Sequence, residues 1–128
     1  MIILVILDCT VEENDKKNLF IKSLNTKSNY ELILTEDCFL LLEKLDSGNG
    51  KIVFWSSLFA ITDLQLNKLN KITSMNFYDE ETNSEYQLKL KVDNILMKYL
   101  IYLFFTHTFI QYYINKTKIY FLNISKVY

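Results

Sequence analysis

The chain has 128 residues, half of them apolar and 15% aromatic, with 14 basic and 15 acidic side chains and a formal net charge of −1. That is enough chain for one domain with a real core, too apolar for a disordered segment, and too nearly neutral to argue for a nucleic-acid partner. Every basic residue is lysine and there is no proline; with abundant Asn, Ile, Tyr and Phe this is the composition of AT-rich coding sequence, and it removes bidentate guanidinium recognition of phosphate or carboxylate.

In chain order, "MIILVILDC" is a continuous apolar run of the kind a buried strand carries. It is too short for a signal peptide and lacks a basic n-region, so a cytoplasmic protein is expected. Cys9 and Cys38, without CxxC or ligand-like spacing, are then expected to be free thiols. Residues 11–25 open with Thr10 and acids and set Val11, Leu19 and Ile21 among polar residues, which predicts a short helix. Two apolar runs follow, Tyr30 to Glu36 and Cys38 to Leu45, broken at Glu36-Asp37. "DSGNG" at 46–50 holds both glycines and is the strongest turn signal in the chain. "KIVFWSSL" at 51–58 reads as a strand, and "LFAITDLQL" at 58–66 as a strand or a bend.

"KITSMNFYD" pairs naturally with "SEYQLKLKV" across the polar loop "DEETN". In the second of these, Tyr86, Leu88, Leu90 and Val92 alternate with Glu85, Gln87, Lys89 and Lys91, so one face meets a core and the other meets water. Asp93-Asn94 is a fair N-cap for a helix from Ile95. On it Leu96, Leu100, Leu103 and His107 form one apolar stripe and Met97, Ile101 and Phe105 a neighbouring one.

These elements predict a mainly β (α+β) domain, a small antiparallel barrel or sandwich of about seven strands closed by a C-terminal helix. The division expected is an N-terminal strand and short helix at 1–27, the main domain at 28–110 and an apolar, Lys/Tyr-rich tail at 111–128. Charge breaks sharply at Asp93: residues 1–93 hold 10 lysines against all 15 acids, whereas 94–128 hold four lysines and no acid. Three readings of this end are open. It is a packing helix, a C-terminal membrane anchor of about spanning length over 95–114, or translated AT-rich non-coding sequence. A helix to about 105–109 would suffice for the fold, so truncation after Ile110 is expected to leave a soluble, stable protein.

The stretch "ELILTEDCFLLLEKL", the Gly turn, "KIVFWSSLFAITDL", the "SMNFYDEETNSEYQLKLKV" hairpin and the helix after it together resemble the pleckstrin-homology (PH)-like superfamily of PH, GRAM and phosphotyrosine-binding-type domains, over about residues 28–105. The resemblance implies that the first stretch forms neighbouring strands of one sheet, with Glu31, Glu36 and Asp37 at the turn or on the outer face. It also implies either of two activities: phosphoinositide binding through a basic cluster around the first strand–loop–strand, or protein binding at a sheet edge or in the groove beside the C-terminal helix. The loops "TED" and "DSGNG" depart from the basic pattern, and Lys44 and Lys51 make a thin site for several phosphates. Weak or no phosphoinositide binding is therefore expected.

Catalytic chemistry finds little footing. His107 is the only histidine and no acid follows Asp93 to partner it. Asp79, Glu80 and Glu81 lack calcium-loop spacing and read as solvated, and Walker, GxGxxG, GxSxG and HExxH patterns are absent. No enzyme activity, cofactor or metal is expected. Of the knot Phe54, Trp55 and Phe59, two are expected in the core, and an exposed Trp55 would mark a binding patch. The expectation is a non-enzymatic adaptor for a protein partner, with Trp55, Lys44, Lys51, Lys89 and Lys91 as its candidate surface. A phosphoinositide-binding or C-terminally membrane-anchored module is the alternative. An exposed edge strand or groove would favour the first, and lysines converging on one open mouth the second.

Overall fold

The computed structural model describes residues 2–14, 24–104 and 123–127. Seven strands follow one another as an antiparallel sheet: β1 (Ile3–Glu12), β2 (Asn29–Thr35), β3 (Cys38–Lys44), β4 (Gly50–Ser57), β5 (Ile61–Asn67), β6 (Ile72–Asp79) and β7 (Ser84–Val92). A helix, α1 (Ile95–Phe104), comes next, and β8 (Asn123–Val127) ends the described chain. The spatial order is β4-β3-β2-β1-β7-β6-β5-β8, with β8 parallel to β5 and every other pair antiparallel.

Local chemistry explains the connections. Between β2 and β3 the hydroxyl of buried Thr35 accepts from the Cys38 amide at 3.0 Å and lies 3.0 Å from Asp37 Oδ1. That leaves Glu36 and Asp37 exposed at the corner, where the acids that interrupt the apolar run stay hydrated. The β3–β4 turn closes through Leu45 N–H to Asn49 carbonyl and Gly48 N–H to Leu45 carbonyl, both 3.0 Å. Gly48 adopts φ +84°, a backbone conformation that disfavours a Cβ. The Ile95 amide donates to Asp93 Oδ1 at 2.9 Å and starts α1 where the N-cap signal falls.

The core is built from alternate positions. Tyr30, Leu32 and Leu34 on β2, Phe39 and Leu41 on β3, Leu88, Leu90 and Val92 on β7, and Leu96, Leu100 and Leu103 on α1 are all buried. Lys91 is exposed, Lys89 and Tyr86 half-buried. Burying a leucine or phenylalanine side chain contributes about 1.5–3 kcal/mol, so these rows hold the sheet to its face and the helix stripe to the sheet. His107 and Phe105 lie outside the described residues.

The sheet does not close: β4 and β5 are successive in sequence yet unpaired, and a short 3-10 turn at Leu58–Ala60 separates them. The mainly β expectation with one C-terminal helix holds, and closure of the ladder into a barrel does not. Instead the sheet curls. Phe39 on β3 and Phe77 on β6 stand four strand spacings apart, about 19 Å in a flat sheet, yet their ring centroids are 5.1 Å apart. Phe54 on β4 joins both at 5.4 and 5.5 Å. Leu58, fully buried, ties the turn down by donating to the Asp37 carbonyl at 2.9 Å.

Two further expectations change, and part of the tail gains a partner. β1 continues through Glu12, with Val11 buried opposite Leu90, so a helix does not begin at residue 11; residues 15–23, where the rest of it was expected, lie outside the described residues. β1 is also not buried throughout: Ile3 and Ile6 are exposed, Leu4, Val5 and Leu7 pack half-buried against the core, and Cys9 and Val11 are fully inside it. Finally, β8 pairs Asn123 to Val127 along Asp63 to Leu66 of β5, so this part of the tail packs back on the sheet. Among the described residues no helix is long and apolar enough to cross a membrane.

Candidate functional site

Trp55 is the residue the fold treats most unexpectedly. Neighbouring side chains on a strand point to opposite faces, and on β4 Phe54 packs on the core while Trp55 is 65% exposed. Phe59 also packs against the core, so two of the three aromatic residues are inside and the tryptophan is out. Among the described residues β4 comes first in the sheet order, and Ile52 on it is exposed as well. Beside it opens a cleft of about 440 Å³ between β4 and the β6–β7 hairpin. Phe54 and Phe77 lie at the cleft, Trp55, Tyr78 and Tyr86 flank it, and Asp79 at the end of β6 and Glu80 and Glu81 on the hairpin loop stand beside it.

Of the candidate lysines the fold brings together Lys44 and Lys91, in one recess, and leaves Lys51 and Lys89 elsewhere. Lys44, at the end of β3, forms an ion pair with Asp8 on β1, and that hydrogen bond raises the pKa of its amine. Lys91 shares with it a recess of about 350 Å³ that also includes Asp8, Cys9, Thr10, Asn29 and Tyr30. Lys89 faces a different recess, beside Glu12, Glu13 and Ser74. Lys51 is exposed at the start of β4, opposite Glu43 on β3. An acid accompanies each of these lysines except Lys91, whose recess takes Asp8 from the Lys44 pair.

Cys9 is buried at the floor of the first recess, and burial, reinforced by the nearby Asp8 charge, pushes its thiol up to about 12. It stays protonated at neutral pH and is no nucleophile there. Cys38 is free and partly buried, with Sγ 3.1 Å from Thr35 Oγ1. Among the described residues no group of three or more His, Cys, Asp or Glu is arranged to hold a metal ion.

A second apolar groove, about 360 Å³, runs between β1 and α1, lined by Leu4, Ile95, Lys98, Tyr99 and Tyr102. It lies beside the C-terminal helix. Sequence reading missed Tyr78, Tyr86 and the 79–81 acids as neighbours of Trp55. They stand more than 20 positions from it, and only the curl of the sheet brings them to one cleft. Compared with known proteins, the chain matches no family model and no curated protein.

Proposed function

We propose that the chain is a PH-like adaptor domain, without enzymatic activity, that acts by protein–protein contact in the cytoplasm. The observation that carries this reading is Trp55, two-thirds exposed on β4 beside an aromatic cleft. Exposed tryptophan is costly in a monomer and is the residue type most enriched where binding energy concentrates. The PH-like assignment is supported by seven antiparallel strands in succession on short connections, followed by a helix with its apolar stripe in the core. No more than two of the candidate lysines, Lys44 and Lys91, share a recess, and Lys44 is neutralised there by Asp8, which weighs against a phosphoinositide site needing several cations converging on one mouth.

Because Trp55 is the only tryptophan, intrinsic fluorescence reads the surface directly. Peptides of about 12 residues selected from a random library against the full chain should shift Trp55 emission, and Trp55→Ala should abolish their binding. Liposomes with and without phosphoinositides should bind the protein equally. A strong, headgroup-specific gain, or selected peptides indifferent to Trp55→Ala, overturns the reading.

A further inference from the structure

We propose that the solvent face of β1 to β4 is the contact surface of a weak two-fold dimer, in which a second copy of this chain packs its own β1–β4 face on the first and Trp55 of each copy meets Ile6 of the other. This rests on the reading of Trp55 as a protein-contact residue and names the partner.

The surface follows from the strand register. Ile6 on β1 stands opposite Ile33 on β2, Ile33 opposite Leu40 on β3, and Leu40 opposite Trp55 on β4. Cross-strand partners share a face. It is the face away from the core, because Leu32, Leu34, Phe39 and Leu41, their neighbours along the strands, are buried. Leu42 opposite Ile52 adds a second apolar pair beside the row. Ile6, Ile52 and Trp55 are 51%, 57% and 65% exposed, and Ile33, Leu40 and Leu42 are half-buried. The water face of an antiparallel sheet is ordinarily polar, as it is on the other half of this one, where Glu12, Lys89 and Ser74 stand in one row.

Width decides the occupant. Four strands about 4.8 Å apart and seven residues long, as β2 and β3 are, present a face of about 19 by 23 Å, about 440 Å². A helix is about 10 Å across and an extended segment is narrower, so either leaves half of the row in water. A second sheet packs about 10 Å away and covers the whole width. Such a partner has to carry apolar side chains at the same intervals across its strands, and this face does so itself. Two copies cover about 900 Å² in flat projection, below the roughly 1,200–2,000 Å² of a stable complex, so the pair is weak and reversible.

A two-fold axis along the strands, between β2 and β3, lays β2 over the second copy's β3 and β1 over its β4. Ile33 then meets Leu40, and Ile6, the shorter side chain at one margin, meets Trp55, the longer one at the other. Charge agrees with this arrangement. Glu31 stands opposite Leu42 in register, and Lys44 follows two residues later on the same face of β3. The axis therefore sets Glu31 one diagonal step from the second copy's Lys44, in both halves of the dimer. Lys44, paired with Asp8 in its own chain, then lies between carboxylates of the two copies.

The test is sedimentation equilibrium and intrinsic fluorescence on the full chain. A dissociation constant of about 50 µM leaves about 95% of chains monomeric at 1 µM and about three quarters of them dimeric at 300 µM. Trp55 emission should shift to the blue over the same range. Ile6→Lys, at an exposed position three strand spacings from Trp55, should abolish both changes and keep native resonance dispersion, while Lys91→Ala, exposed on β7 outside the face, should leave both in place. A monomer throughout the range, a dimer indifferent to Ile6→Lys, association that continues past the dimer, or amide perturbation on α1 rather than on β1 to β4 overturns the inference. If the chain stays monomeric while selected peptides still engage Trp55, the inference fails and the adaptor reading stands. If it stays monomeric and no peptide engages Trp55, both fail together.

Discussion

Replacing Leu90 by alanine probes the sheet where it has least room to relax. Leu90 is fully buried on β7, opposite Val11 of β1 and Thr73 of β6, so paired strands hold its backbone on both sides. Leucine-to-alanine changes in cores cost about 2–5 kcal/mol, the spread depending on how far the surroundings collapse into the cavity. Strands pinned on both sides collapse little, which places Leu90→Ala in the upper half, about 3–5 kcal/mol. That is a large part of the roughly 5–15 kcal/mol by which a domain is stable. With a urea slope of about 2 kcal/mol per molar, the unfolding midpoint should fall by about 2 M at unchanged slope. Lys91→Ala, on the next and exposed residue, should change stability by less than about 0.5 kcal/mol. A loss below about 1 kcal/mol for Leu90→Ala, or an equal loss for Lys91→Ala, would refute the assignment of faces on β7.

Three other perturbations have definite expected outcomes. The Cys9 thiol, raised to about 12 from its ordinary value of 9.0, does not penalise the fold below about pH 9. Between about pH 9 and 12 the unfolded chain ionises first, so stability should fall by about 1.4 kcal/mol per pH unit; urea titrations at pH 8 and 10.5 should show this loss in the native chain and a smaller one in Cys9→Ala. Asp93→Ala removes the 2.9 Å acceptor of the Ile95 amide and should cost about 1 kcal/mol, read from the urea midpoint, with Asp93→Asn recovering most of it. Truncation after Ile110 removes β8 and bares the β5 edge at Asp63 to Leu66, so hydrogen exchange should quicken at β5 amides while β1, β2 and β7 keep their protection; unfolding of the shortened chain would instead make the tail part of the core.

What the sequence alone determined is what depends on neighbours along the chain. Alternation of Leu88, Leu90 and Val92 with Lys89 and Lys91 assigns the faces of β7, because a strand has a period of two whatever it pairs with. Gly48 in "DSGNG" marks a reversal, and Asp93 caps α1, because each acts within a few residues. What the tertiary structure decided is which strands meet. Lys44 looks like a cation beside a turn until β3 is placed two strands from β1 and Asp8 comes within reach of its amine. The apolar run of β1 reads as uniformly buried, yet Ile3 and Ile6 are exposed, Ile6 turned away from the core between Val5 and Leu7, which pack against it, because neighbouring side chains on a strand take opposite faces. Trp55 and Phe54 are equally apolar as residue types, and only the side on which the sheet curls sends one to the core and the other to solvent. The candidate cleft is non-local in the same sense: β4 and the β6–β7 hairpin are joined by no hydrogen-bonded ladder, and packing of Phe39, Phe54 and Phe77 across the curled sheet brings Trp55 beside three carboxylates.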